Sequence, residues 1–169
     1  MSASAEPRRA FFIDALNLAY WCGNPPTLRI PLTLMAGLLD RGHQALLYFD
    51  ASAVHRLPQE AALYMRLRQH PHDFIEVPAR RTADGVMLRQ ARASGACIVS
   101  RDRYRDYRRR YRKLIDDPAR LLPGAVADER VLVPSLALDL PLIASADEAW
   151  QRVEAALASA PLVCIGPAR

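Results

Sequence analysis

Short apolar runs alternate with longer segments whose apolar residues recur at helical spacing through the first two thirds of the chain. Residues 10–13 (Ala-Phe-Phe-Ile), 45–49, 74–77 and 96–100 show no polar alternation, which fits strands buried on both faces. Between them, Pro31 opens a helix to about residue 40, stopped at Arg41-Gly42. Pro58 opens a second helix to about residue 69, with Leu63, Met65 and Leu67 turned inward. A third spans residues 84–93, and Gly95 suits the left-handed position that ends it. Further on, Tyr104, Tyr107, Tyr111 and Leu114 form a stripe that predicts a helix over residues 103–115. Residues 131–133 read as a short peripheral strand. Ser145-Ala146-Asp147-Glu148 reads as a capping box opening a helix that carries Trp150 and Val153, and residues 162–165 as a final strand.

Strands and helices in strict alternation predict an α/β fold with three layers: a central, mainly parallel sheet, right-handed crossovers and helices on both faces. In open sheets of this kind ligands bind beyond the carboxyl ends of the strands. Asp14, Asp50 and Asp102 all fall at such ends, so one fold rule places three scattered carboxylates on the same rim. Each also has a local reading. Asp14 with Asn17 can cap a loop, and Asp84 and Asp102 can cap helices. Asp50 lies either beside the cluster or at its periphery. Asp106, one helical turn beyond Asp102, would repel it unless a cation or the adjacent arginines offset the charge. Ser100 adds an oxygen at the end of the fourth strand.

Length and composition sharpen this. A chain of 169 residues with 51% hydrophobic and 24% charged residues is long enough for one domain with a real core. The net charge of +5 and pI of about 9.5 favour an acidic partner. Residues 101–113 hold eight Lys/Arg, so the charge is clustered. Guanidinium groups suit phosphates, and tyrosines among them suit stacking on unpaired bases. Equally, the tyrosines pack inward and the arginines form a solvated face; both readings hold in part.

Cys22, Cys97 and Cys164 are far apart and have no zinc spacing, so they read as reduced thiols of a cytoplasmic protein. Residues 1–9 contain no apolar stretch, and no run is long enough to span a bilayer, so neither a secretory signal nor a membrane partner is expected. No histidine pairs with a nucleophile. Leu16 stands where a haloacid-dehalogenase-type phosphatase needs its second Asp.

Phe12-Ile13-Asp14-Ala15-Leu16-Asn17 resembles the "DGxN" start of NYN-type, PIN-like nucleases. Ala83-Asp84 with Leu88 and Ala91, followed by Ile98-Val99-Ser100-Arg101-Asp102-Arg103-Tyr104-Arg105-Asp106, resembles the "ADD…A…IVSNDxFRD" block of the same family, nearest to its Regnase-type ribonuclease branch. Residues 127–134 are similar to the turn and strand that follow in that branch. The resemblance implies a PIN-like (Rossmann-like) fold and a divalent-metal-dependent endoribonuclease that acts on single-stranded RNA with Mg²⁺ or Mn²⁺. It implies Asp14, Asp84, Asp102 and Asp106 as catalytic and metal-holding acids, with Asn17 assisting; Ser100 and Asp50 join in support only from their places at the strand ends. Arg80, Arg81, Arg101, Arg103, Arg105 and Arg108 would bind the RNA backbone. Departures from the pattern include Ala83 for one acid of a pair, Ala15 for a Gly, and Arg101 for an Asn. The spacing of the CCCH zinc finger that accompanies the Regnase branch does not occur here. A catalytically weak or inactive RNA-binding module of the same fold is therefore the alternative. Residues 1–9 are expected to form a flexible arm, 10–134 the nuclease domain, and 135–169 an extension packed on it or a homodimer contact.

Overall fold

The computed structural model describes residues 7–159; part of the expected N-terminal arm, Cys164 and the strand expected at 162–165 lie outside the described residues. Five parallel strands form the central sheet in the order β3-β2-β1-β4-β5: β1 (Ala10–Asp14), β2 (Gln44–Asp50), β3 (Phe74–Val77), β4 (Cys97–Val99) and β5 (Leu121–Leu122). The chain steps outward from β1 to β3, then returns to place β4 on the other side of β1. The gap between β1 and β4 is thus the point at which the strand order reverses.

Strand periodicity divides the interior into two cores. Phe11 and Ile13 of β1, Ala45, Leu47 and Phe49 of β2, and Cys97 and Val99 of β4 face one side. Phe12, Tyr48 and Ile98 face the other. The first side is covered by α1 (Ala15–Ala19), α2 (Arg29–Asp40), α3 (Ala53–Arg56), α4 (Ala61–Leu67) and α7 (Ala146–Ser159). The second is covered by α5 (Ala83–Ser94) and α6 (Arg108–Ile115), through Met87, Leu88, Ala91, Tyr111 and Leu114. Every residue from Ile30 to Leu38 in α2 is buried, because sheet, α7 and a second sheet surround it. That second, antiparallel sheet runs β6 (Ala125–Ala127), β7 (Arg130–Val133), β8 (Leu138–Pro141). Gly37 lets it dock: a Cβ there would overlap Leu140 Cδ1. No helix among the described residues is long and apolar enough to cross a membrane.

Several local expectations are corrected. Met65 is not inward: it is 47% exposed, while Leu63, Tyr64 and Leu67 are buried. Positions two apart do not share a helix face, whereas positions three and four apart do. The segment from Pro58 begins with a 3-10 turn, Pro58–Glu60, before α4. The expected helix over 103–115 is two pieces, a 3-10 turn at Arg105–Tyr107 and then α6, and Asp102 precedes both. Tyr104, held at φ 46° in the left-handed region, keeps residues 103 and 104 out of any helix, and Tyr111 inside α6 departs from helical angles at φ −120°, ψ 25°. Asp102 and Asp106 are therefore not one turn apart on a common helix. At the start of α5 the cap is Thr82, whose Oγ1 accepts from Gly85 N–H at 3.2 Å, and not Asp84. Gly95 ends that helix at φ 79°, as its sequence position predicts.

Trp150 of α7 is 3% exposed and packs its ring 4.9 Å from His70 and 5.5 Å from Phe74. Trp150→Ala is expected to cost about 3–5 kcal/mol, the usual penalty for truncating a core aromatic. Urea denaturation followed by circular dichroism measures it, and a loss close to zero would show that α7 is not integral to the fold.

Candidate functional site

Loops leaving the sheet at its carboxyl edge meet over the gap between β1 and β4. Asp14 ends β1 because its side chain turns to accept from the Asn17 backbone N–H at 3.3 Å, capping α1. Its other carboxylate oxygen accepts from Ser100 Oγ at 3.0 Å and from Tyr104 OH at 2.8 Å. Buried Ser100 follows β4, and its oxygen accepts from the Asp102 N–H at 3.0 Å. Asp102 Oδ1 in turn accepts from the Tyr104 N–H at 2.7 Å, an Asx-type turn. Tyr104 thus holds two acids at once, one with its hydroxyl and one with its backbone. Its left-handed conformation is the local cost of doing so.

The capping of α5 by Thr82 leaves the carboxyl of Asp84 for the rim. Burial raises its pKa first, and the charges of Asp14, Asp102 and Asp50 raise it further, to about 6. Asp14 is also pushed up, chiefly by burial and slightly by Asp102, while its donors Tyr104, Ser100 and Asn17 oppose the rise. Asp50, at the end of β2, accepts from the backbone N–H of Ser52 at 2.7 Å and from its hydroxyl. Asp14, Asp84 and Asp102 therefore share one electrostatic field, with Asp50 at its edge. Like charges fixed by the fold, with Asp14 and Asp84 partly withdrawn from water, favour an added positive charge.

Asp106 stands apart. It is exposed on the 3-10 turn before α6 and is not among the charges that act on Asp14 or Asp84. Asn17 belongs to the rim: its Oδ1 accepts from Trp21 Nε1 at 3.0 Å and from the Arg101 backbone N–H at 2.9 Å. The Arg101 guanidinium lies 4.6 Å over the Trp21 ring and donates from Nε to the Gly124 carbonyl at 2.8 Å, so it is drawn toward the second sheet. Arg80, Arg81, Arg103 and Arg105 are exposed, and their side chains make no ion pair or hydrogen bond among the described residues. Arg108 pairs with Asp116 at 3.0 Å. The rim offers hard carboxylate oxygens, the donor type that Mg²⁺ and Mn²⁺ take. Among the described residues, no three His, Cys, Asp or Glu side chains are grouped closely enough to enclose an ion by themselves.

Sequence reasoning missed the Tyr104 hydroxyl. It treated Tyr104 as one member of an apolar stripe, although the "IVSNDxFRD" pattern has Phe at that position and the added hydroxyl was the available signal. Trp21 was missed as well, and nothing local in the sequence links it to Asn17 and Arg101.

A model of the Zc3h12a-like Ribonuclease NYN domain matches residues 7–139. No curated protein matches the sequence. Two solved structures are similar in fold. Nuclear proteinaceous RNase P 2 (PRORP2) from A. thaliana matches with a TM-score of 0.61 and 13% identity, over 81% of this chain and 31% of that one. A second structure of Arabidopsis thaliana nuclear protein-only RNase P 2 matches with a TM-score of 0.57 and 16% identity, over 76% and 30%. The chain spans about a third of the length of these structures, and at such identity the likeness is one of fold: the same layered α/β, PIN-like arrangement.

Two outcomes follow from the electrostatics. Asp84 keeps its proton up to about pH 6 in the folded chain, whereas the unfolded carboxyl releases it near 3.8. Its contribution to stability is therefore complete below about pH 4 and is lost as pH rises through 6. Asp84→Asn is expected to raise Tm at pH 7.5 in EDTA, and to raise it less at pH 5; equal shifts at the two pH values would contradict the assignment. Tyr104→Phe removes a donor that lowers the Asp14 pKa, so the Asp14 carboxyl is expected to titrate at higher pH in that variant. Carboxyl ¹³C NMR reads this directly.

Proposed function

The chain belongs to the Zc3h12a-like ribonuclease NYN domain family, and from that premise we propose that it is a divalent-metal-dependent endoribonuclease of single-stranded RNA. The observation that carries this reading is the gathering of Asp14, Asp84 and Asp102 on one rim, where burial first and the neighbouring acids second raise Asp84 to about 6. A hydrated Mg²⁺ fits such a rim, because this ion keeps several waters and needs only one or two protein carboxylates together with substrate phosphate. When bound, it would stabilise charge on the phosphate and supply an activated water.

The chain's own residues do the rest. Asp14, Asp84 and Asp102 offer the ligand oxygens. Ser100 and Tyr104 fix the orientation of Asp14, and Tyr104 N–H fixes that of Asp102. The Asn17 side-chain NH₂ makes no hydrogen bond among the described residues and is available to a phosphate oxygen. Arg80, Arg81, Arg103 and Arg105, unpaired among the described residues, supply cations for backbone phosphates, contacts that position RNA without reading its sequence. Asp106 would act from the margin, facing the RNA more than the ion.

The second reading, an RNA-binding module without catalysis, draws on Ala83 and Arg101. The stacking of Arg101 on Trp21 weighs against it, because the added cation is drawn away and does not neutralise the acids. The two separate in one assay: labelled single-stranded RNA with Mn²⁺ or with EDTA, wild type against Asp102→Asn. Cleavage with Mn²⁺ alone, falling by roughly a hundredfold or more in the variant, is the expected result. RNA retention without cleavage at any Mn²⁺ concentration would establish the binding module instead.

A further inference from the structure

A cleft of about 340 Å³ opens between the loop after α1 and the segment from α3 to the 3-10 turn, lined in part by Tyr20, Asn24, His55, Arg56, Leu57 and Gln59. Both walls leave the carboxyl edge of the sheet. Tyr20 is the cap residue of α1, which starts directly after Asp14, and α3 follows Asp50 by three residues. The cleft is thus built on the segments that follow β1 and β2, which leave the sheet at the edge that carries the acids.

Its chemistry is unlike that of the arginine surface around α6. Tyr20 is 36% exposed, one of two large hydrophobic side chains that stand out in water among the described residues. The side chains of Tyr20, Asn24, His55 and Gln59 make no hydrogen bond among the described residues. Among the described residues Arg56 is anchored only through Nε, which donates to Ser52 Oγ at 3.1 Å, and its terminal nitrogens have no partner there. Ser52 donates onward to Asp50, so Arg56 stands two hydrogen bonds from a carboxylate of the acid rim. Leu57 is buried and closes the floor, and prolines stiffen both walls.

We propose that this cleft is a nucleotide subsite that takes one unpaired base of the RNA next to the cleaved phosphate. The proposal rests on the ribonuclease reading for the RNA and on the cleft itself for the base. Tyr20 and His55 offer rings for stacking, Asn24 and Gln59 offer amides with both a donor and an acceptor for the base edge, and Arg56 offers its free nitrogens to the flanking phosphate. The volume matches a small-molecule site. Arginine contacts to the backbone carry no sequence information, so this cleft would give the enzyme its base preference.

The test separates the base from the phosphate and the cleft from the catalysis. Each of the four nucleoside 5′-monophosphates is titrated at millimolar concentration into the full chain in EDTA, and the ring resonances of Tyr20 and His55 are followed by NMR. Ribose 5-phosphate is the probe without a base. A saturable shift with at least one monophosphate, clearly larger and at lower concentration than with ribose 5-phosphate, is expected. Tyr20→Ala should weaken that binding, read at His55, by roughly tenfold, the order of one stacked base. Met65→Ala, at the other exposed apolar residue, serves as the folded control and should leave binding unchanged. No shift with any monophosphate, or an equal shift with ribose 5-phosphate, overturns the subsite. With Mn²⁺ and single-stranded RNA, Tyr20→Ala should raise KM by a similar factor, and an unchanged KM likewise overturns it. Monophosphate binding by a wild type that cleaves no RNA would sink the ribonuclease reading and leave the nucleotide site standing.

Discussion

The hydrogen bonds to Asp14 are the constraint on which the rim depends. A carboxylate at the end of a buried strand loses much of its hydration, and here three donors replace it: the Asn17 N–H, Ser100 Oγ and Tyr104 OH. Each donor comes from a segment that must be in place for the fold to be complete. Asn17 lies in the first turn of α1, Ser100 directly follows β4, and Tyr104 terminates the turn that carries Asp102. Holding Asp14 therefore closes the gap at which the strand order reverses, and it sets the position of the next acid. The carboxylate remains raised in spite of these donors, because burial outweighs them.

The same edge is tied from its other side through Asn17, Trp21 and Arg101. Asn17 Oδ1 takes hydrogen bonds from the indole and from the Arg101 backbone, so the loop after β1 and the loop after β4 share one acceptor. The Arg101 guanidinium then stacks on Trp21 and reaches Gly124, just before β6. A Cβ at Gly124 would overlap both Trp21 and the Leu132 carbonyl, so a glycine at this position lets the second sheet come close to the stack. The small antiparallel sheet thus supports the site from outside the central one.

The parallel sheet was legible because fully buried strands leave continuous apolar runs, and four of the five appear in the sequence as such. The shortest, β5 at Leu121–Leu122, carries too few residues to show a pattern. The carboxyl-end rule places Asp14, Asp50 and Asp102 on one edge from the sequence alone. What was not legible depended on backbone geometry or on distant partners. Reading Tyr104 as helical ignored a left-handed residue that no propensity predicts at a tyrosine. Assigning the α5 cap to Asp84 overlooked Thr82 two residues earlier, although Thr is the ordinary capping residue and its position was visible. Arg101 read as a cation beside the acids because its partners, Trp21 and Gly124, lie far away in sequence.

The departure at Ala83 takes on a physical meaning in this frame. Ala83 is the first residue of α5 and packs partly against the core formed by Met87, Leu88, Tyr104 and Tyr111. A carboxylate there would lose hydration against apolar neighbours and add another negative charge next to Asp84, which burial and the neighbouring acids already raise to about 6. A site that keeps such an acid needs more compensating positive charge to hold it ionised. With alanine at 83 and the Tyr104 hydroxyl donating to Asp14, the rim carries fewer mutually repelling charges and one more donor than the family pattern provides. Both departures act in the same direction: each lowers the cost of assembling the remaining carboxylates before any cation arrives.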